Sequence, residues 1–439
     1  MTERGKAVLI LVAVICFLGA AASEKKTLKR SEDPVVIEGG VLSSLVGKPI
    51  SSLALMSFGS KGFKPIPFQV DERTDDGKFV FTHGPRAHPE DGDGILSLQD
   101  ELVFMAWDSG DKASGAKMPE GAESGLEIML TDPVGGSRAW VYLFSFSGAP
   151  PRSDIDYVKH SSNEDRNWVE TDRYLFAEKK GETYFDRLML RGKQGRMSDN
   201  LADRIKGRGN LKAVGGRIKL QIGESDTKGD LVAWLDGPIR VVHLMQAYIK
   251  ISIARFKAGG GANNLFYQNY FVTPIFFNFP IAPSTMLSDF KMIYGIDLNK
   301  NSEGMSYFDA ANPKAVIMDG KMDESERNLD RDTVHDWWAI TGDKGNLMVR
   351  MILPGEWKDV VLLKTGYIDD DTSLDPPESV PGQRQPGFLL DGMYNITKGD
   401  HIFYRYYYVP GETLTMANVK PYLDMLDNPL KVDAHAYAP

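Results

Sequence analysis

Alternation is the feature that most constrains what this chain can become. Apolar and polar positions repeat every second residue over much of its length, which is the period of strands. Leu126, Ile128 and Leu130 alternate with Glu127, Met129 and Thr131. Trp140, Tyr142, Phe144 and Phe146 form one face of a second strand, and Ile218, Leu220 and Ile222 alternate with Lys219 and Gln221 in a third. Ile239, Val241, His243, Met245, Ala247, Ile249, Ile251 and Ile253 share one face of a long strand whose other face carries Arg240, Gln246, Lys250 and Ser252. Near the end, Ile402, Tyr404, Tyr406 and Tyr408 alternate with Phe403, Arg405 and Tyr407. Helical stretches are few. Asp199 to Ile205 reads as a short helix, and Leu414 to Leu426 as another that Pro421 kinks or restarts. With 43 Gly and 24 Pro marking turns, the pattern predicts an all-β chain of packed antiparallel sheets. Gly148-Ala149-Pro150-Pro151-Arg152 reads as a boundary. The expected organisation is an N-terminal β-sandwich over about 30–150 and a larger β-sandwich or supersandwich domain over about 165–439. Ser379 to Pro386 reads as a long surface loop in the second.

Residues 1–23 have the layout of a secretory signal peptide. Arg4 and Lys6 precede a charge-free run from Ala7 to Ala22, which ends in small residues before Glu24-Lys25-Lys26. The run is shorter than the ~20 residues a spanning helix needs. Cleavage is expected between Ala20 and Glu24, which predicts a periplasmic or secreted protein of bacterial type. The alternatives are an uncleaved anchor and a lipoprotein built on Cys16. Val14 and Ile15, just before that cysteine, are a poor lipidation context. Cys16 is the only cysteine, so the mature chain has no disulfide, thiolate nucleophile, zinc–cysteine site or covalent haem. Tyr270 to Ile281 is the strongest later apolar stretch, but Asn278, Pro274 and Pro280 interrupt it, so no transmembrane segment is expected after cleavage. The formal charge is −9, and losing Glu3, Arg4 and Lys6, a net +1, leaves −10. Such acidity argues against nucleic acid as a partner.

Several clusters carry possible chemistry. Asp91, Asp93 and Asp100 surround Gly94 with the spacing of positions three, five and twelve of a calcium loop. Pro89 stands at position one, where a ligand is required. The reading is either a weak calcium site or an Asp/Gly turn; no other cofactor is expected. The segment from Asp319 to Asp336 is rich in carboxylates but interleaved with Lys321, Arg327 and Arg331, the mark of a solvated loop. His335 lies between Asp332 and Asp336 and precedes Trp337 and Trp338. Imidazole with a carboxylate partner suits proton transfer, and indole suits stacking on sugar rings. His335 is therefore the candidate catalytic residue, and Trp337 and Trp338 are the candidate ligand-binding residues. The plainer reading pairs His335 on a loop and puts both tryptophans in the core. His243 reads as a satisfied core histidine. The basic run from Arg191 to Lys219 reads as a solvated surface or an anion-binding one.

Two stretches resemble known proteins. Ile66-Pro67-Phe68-Gln69-Val70-Asp71-Glu72 and Asp100-Glu101-Leu102-Val103-Phe104-Met105-Ala106 resemble the first domain of an uncharacterised family of secreted bacterial proteins. Asp236-Gly237-Pro238-Ile239-Arg240-Val241-Val242 resembles their second domain, which is similar to the β-supersandwich of galactose-mutarotase-like and polysaccharide-lyase proteins. These motifs read as structural, and no catalytic residue of the sugar enzymes aligns with this chain. The leading expectation is an extracytoplasmic, non-catalytic β protein that binds a glycan or a cell-envelope component. The alternatives are a carbohydrate-active enzyme, as a polysaccharide lyase or glycoside hydrolase, and an accessory subunit of a periplasmic redox complex.

Overall fold

The computed structural model describes residues 24–213, 215–251, 254–257, 262–375 and 381–438, with backbone only at 249–251 and 254–257. The signal-peptide reading of residues 1–23, Cys16 included, lies outside the described residues. The described chain is nearly all β, as its alternation predicts, and its strand pairings are antiparallel. Among the described residues no helix is long and apolar enough to cross a membrane.

The sheets stack in layers. An outer sheet runs in the order Lys431–Ala436, Ala122–Thr131, Arg138–Phe146, Leu53–Gly59, Gly62–Pro65. Against it lies a three-stranded sheet of Pro34–Glu38, Glu101–Met105 and Gln69–Asp71. Leu53, Leu55, Ile128, Leu130 and Leu143 meet Val35, Ile37, Leu102 and Phe104 between the two. The opposite face of Glu101–Met105 presents Val103 and Met105 to the next layer. That layer is a ten-stranded sheet, which includes Thr227–Asp236, Arg240–Ile251, Ala262–Tyr267, Tyr270–Phe279, Gly399–Tyr408 and Gly345–Ile352 in that order. Its far face packs on two smaller sheets, one containing Tyr174–Lys179 and Phe185–Leu190, the other Ala202–Ala213, Leu287–Leu298 and Gln383–Asp391. The largest apolar core lies there, with Phe176, Phe271, Phe403 and Tyr407 at its centre.

The segments around Gln69, Glu101 and Arg240 interlock. Gln69 Oε1 accepts from the backbone N–H of both Ile239 and Arg240, at 2.9 Å each. Arg240 donates to Asp71 at 2.6 Å and pairs with Glu101, which also holds Arg73 at 2.6 Å. A Cβ on Gly237 would collide with the Gln69 side chain. The glycine is thus fixed by close approach across this junction.

Several expectations are corrected. Asp199–Ile205 is not a helix: Ala202–Ala213 is a strand paired along Leu287–Leu298. Cross-strand hydrogen bonds there override a weak local helical signal. Of the expected loop from Ser379 to Pro386, residues 379–380 lie outside the described residues, and Gln383–Pro386 belongs to a strand, in which Arg384 is buried among Asp369, Asp371 and Glu303. The helix near the end is Lys420–Asp427, with Pro421 in its first turn, where a missing N–H costs nothing. The final strand, Lys431–Ala436, returns to pair with Ala122–Thr131.

Candidate functional site: a polar row in the inter-sheet cavity

The strand register brings together residues far apart in sequence. Four adjacent strands of the large sheet present His243, Asn264, Thr273 and Arg405 in one row on the inner face. His243 lies opposite Asn264, and Thr273 opposite Arg405. The pairing of Leu265 with Val272 sets Asn264 opposite Thr273. Each stands among apolar inward neighbours: Phe271 and Ile275 flank Thr273, and Phe403 and Tyr407 flank Arg405. All four are buried. Neighbouring strands lie ~4.8 Å apart, so the row runs across the core rather than along a strand.

Asn264, Thr273 and Arg405 line a cavity of about 150 Å³ between the sheets. Its walls are Phe176, Phe185, Ile275, Phe277, Met292, Tyr184 and Tyr294. Arg405 is only 6% exposed. Its Nε donates to the Thr273 carbonyl at 3.3 Å, and its guanidinium sits 4.0 Å over the Tyr294 ring. Its Nη1 is buried with no hydrogen-bond partner, and so is the Thr273 hydroxyl. Buried polar groups of this kind are normally satisfied.

Glu178, from the facing sheet, also lines the cavity. Its Oε1 lies 3.4 Å from His243 Nδ1, and His243 Nε2 lies 3.0 Å from His160 Nδ1. His160 packs on Trp234, which stacks with His83. Burial, then His243, His83 and Lys180, pushes the His160 imidazole down to about 3. The two imidazoles are hydrogen-bonded, whereas Glu178 Oε1, His243 Nδ1 and His160 Nε2 are all buried without a hydrogen-bond partner.

The candidates read from sequence lie elsewhere. Trp337 and Trp338 are buried on opposite faces of one strand, in different cores, so neither offers a face to a sugar ring. His335 is partnered by neither Asp332 nor Asp336. Its Nε2 faces Asp309 at 3.5 Å and the Thr365 hydroxyl at 3.0 Å, and its Nδ1 faces the Trp337 carbonyl at 3.2 Å. Asp336 instead pairs with Arg350, and Asp332 with Lys364. Asp309 is itself saturated by Tyr307, Thr365 and Asn312, which makes this cluster a structural knot. Elsewhere in the carboxylate-rich segment, Asp323 caps a short helix, and burial pushes Glu326 up to about 7.

Asp91, Asp93 and Asp100 do line one shallow hollow, together with Glu72, Asp75 and Asp76. The carboxylates of Asp93 and Asp100 serve the turn. Asp93 accepts from Ile95 N–H, Asp100 accepts from both Arg73 and Ser97 N–H, and Gly94 adopts φ +70°. Among the described residues no group of three or more His, Cys, Asp or Glu is placed to hold a metal ion. In the basic run, Lys206 is buried against Asp297 and Asp375, and Arg208 pairs with Glu224 and Asp375. Those charges are used inside the molecule.

The missed signal was a polar residue at an inward position of an otherwise apolar strand: Arg405 between Phe403 and Tyr407, and Thr273 between Phe271 and Ile275. No family model matches the chain, and no curated protein sequence matches it. Among solved structures, the chain matches an alpha-mannosidase from Enterococcus faecalis V583 at 8% identity and a TM-score of 0.42, over 95% of this chain and 44% of that one. The chain thus spans less than half of that structure's length.

Proposed function

We propose that this is an extracytoplasmic binding protein whose ligand, a cell-envelope component or part of one, enters the cavity between the large sheet and its smaller partners. One observation carries the reading: Arg405 and Thr273, each with a buried polar atom that lacks a partner, line a cavity walled by aromatic and aliphatic side chains. Concave, mostly apolar sites with a few convergent polar groups are the usual form of small-molecule sites. The apolar walls favour an envelope component over a bare glycan, which would require more hydrogen-bonding groups. The acidic hollow at Asp91, Asp93 and Asp100 has no part in this proposal.

A second reading, a carbohydrate-active enzyme, draws on Glu178 at the cavity wall and the His243–His160 pair beside it, because a carboxylate or an imidazole can serve as a general base. The test separates the two. The protein is assayed on a panel of acidic and neutral polysaccharides for reducing ends and unsaturated uronates, and by calorimetry for binding of envelope-derived amphiphiles. The binding reading predicts no turnover, and binding that is abolished by Ala247→Phe, which fills the cavity that Ala247 lines. Turnover that disappears in Glu178→Gln would contradict it and establish an enzyme.

A further inference from the structure

We propose that the cavity is an acid-binding site: its ligand is a small organic anion whose carboxylate docks on the Arg405 guanidinium and the Thr273 hydroxyl. The inference rests on the reading of the cavity as a ligand site and names the chemistry of what enters it.

The protein supplies its own control. Four other arginines are buried: Arg30, Arg240, Arg350 and Arg384. Each faces at least two carboxylates within 4.0 Å: Asp33 and Asp132; Asp71 and Glu101; Asp336 and Asp427; Asp369, Asp371 and Glu303. Arg405 is as deeply buried, yet among the described residues no carboxylate lies that close to it. An ion withdrawn from water without a counter-charge costs several kcal/mol. Tyr294 under the guanidinium offsets part of this, by about 2 kcal/mol at most for a desolvated cation–π contact. The remainder calls for an anion, and the unpartnered Nη1 and Thr273 hydroxyl mark where it would bind.

The rest of the cavity defines the anion. One guanidinium and one hydroxyl suit a single negative charge, and the planar fork of arginine matches a carboxylate. Glu178 also lines the cavity but makes no ion pair with Arg405; it lies toward the far end of the row, with Oε1 3.4 Å from His243 Nδ1. Phe176, Phe185, Ile275 and Phe277 require an apolar body behind the carboxylate. A volume of about 150 Å³ equals that of an engineered apolar cavity that binds benzene. The ligand, or the part of it that enters, is therefore short, on the order of six to eight non-hydrogen atoms.

The probes are hexanoate, neutral hexanamide and the hexylammonium ion, titrated calorimetrically at neutral pH into the whole protein. The variants are Arg405→Met and Thr273→Val, and xenon under pressure reports whether the cavity admits an uncharged guest. Hexanoate is expected to bind about tenfold or more tighter than hexanamide, as a charge-assisted hydrogen bond requires. Hexylammonium is expected not to bind. Arg405→Met should erase the preference for the acid, and Thr273→Val should weaken hexanoate severalfold. Equal affinity for acid and amide, or hexanoate binding unchanged in Arg405→Met, overturns the acid assignment and leaves the cavity as a site for neutral ligands. Xenon entry without binding of any probe also overturns it. Exclusion of xenon and of all three probes overturns the ligand-site reading as well. If Arg405→Met fails to fold, the wild-type series and Thr273→Val decide.

Discussion

Arg240 and Arg405 occupy neighbouring regions of one sheet and have opposite surroundings. Arg240, at the start of its strand, is enclosed by Asp71, Glu101 and the Tyr267 hydroxyl, and its backbone N–H is held by Gln69. Arg405 enters the core from the other face of that sheet and finds a backbone carbonyl, an aromatic ring and open space. The first arrangement joins two layers of the fold; the second leaves hydrogen-bonding capacity unused. Burial alone therefore does not distinguish structural charge from functional charge in this protein. The distinction is whether the surrounding residues complete the group.

The largest expected effect separates the two arginines directly. Breaking a buried ion pair by removing one partner costs ~3–5 kcal/mol, and Arg240→Met should lose that much in urea denaturation. Arg405→Met should range from no loss to a gain of ~2 kcal/mol, because it removes an uncompensated charge. Comparable destabilisation by both variants would break the comparison.

Two threonines sharpen it at smaller scale. The Thr365 hydroxyl bridges Asp309 and His335, and the Thr273 hydroxyl meets nothing. Thr365→Val should cost ~1–3 kcal/mol by orphaning buried partners. Thr273→Val should be neutral or stabilise by ~1 kcal/mol, since the valine has nothing to leave unpaired. A Thr273→Val protein as unstable as Thr365→Val would mean that the hydroxyl is satisfied in solution.

The third difference is in pH. His160 is pushed down to about 3, first by burial and then by His243, His83 and Lys180. The unfolded chain, with an ordinary imidazole near 6.5, therefore takes up this proton first as the solution is acidified. Stability from this site is intact above that ordinary value and is lost as pH falls toward the folded one. Asp33 and Asp108, each raised by burial to about 6, act in the opposite sense: their contribution is present at low pH and lost as pH rises through 6. They are common to wild type and His160→Gln, so the difference between the two melting curves isolates the histidine. His160→Gln should flatten the acid-side decline by about 2 °C in Tm between about pH 4 and pH 6.5. Parallel curves would show that His160 takes up its proton as readily in the folded protein as in the unfolded chain.

The sheets were legible because alternation is local. The strands through Trp140 to Phe146, His243 and Phe403 to Tyr407 are where their patterns placed them. Two misreadings share a cause. Asp199–Ile205 and Gln383–Pro386 are polar enough to resemble a helix and a loop, but a neighbouring strand and a buried ion network hold them extended. The candidate site was not legible for a related reason. Glu178, Asn264, Thr273 and Arg405 carry no motif; strand register aligns the last three, and the packing of the facing sheet adds Glu178. His335 with Trp337 and Trp338 had the opposite character: a conspicuous local cluster that the fold uses in its core.

The most direct test of the central claim, that the unsatisfied row around Arg405 is a ligand site, is a crystal of the protein soaked with a terminally brominated hexanoate. The anomalous signal of bromine locates the chain end independently of the refined atoms. The account predicts a peak among Phe176, Phe185, Ile275 and Phe277, with the carboxylate within hydrogen-bond distance of Arg405 Nη1 and the Thr273 hydroxyl. A peak only at the surface, or a cavity that remains empty while Arg405 keeps its place, would contradict it.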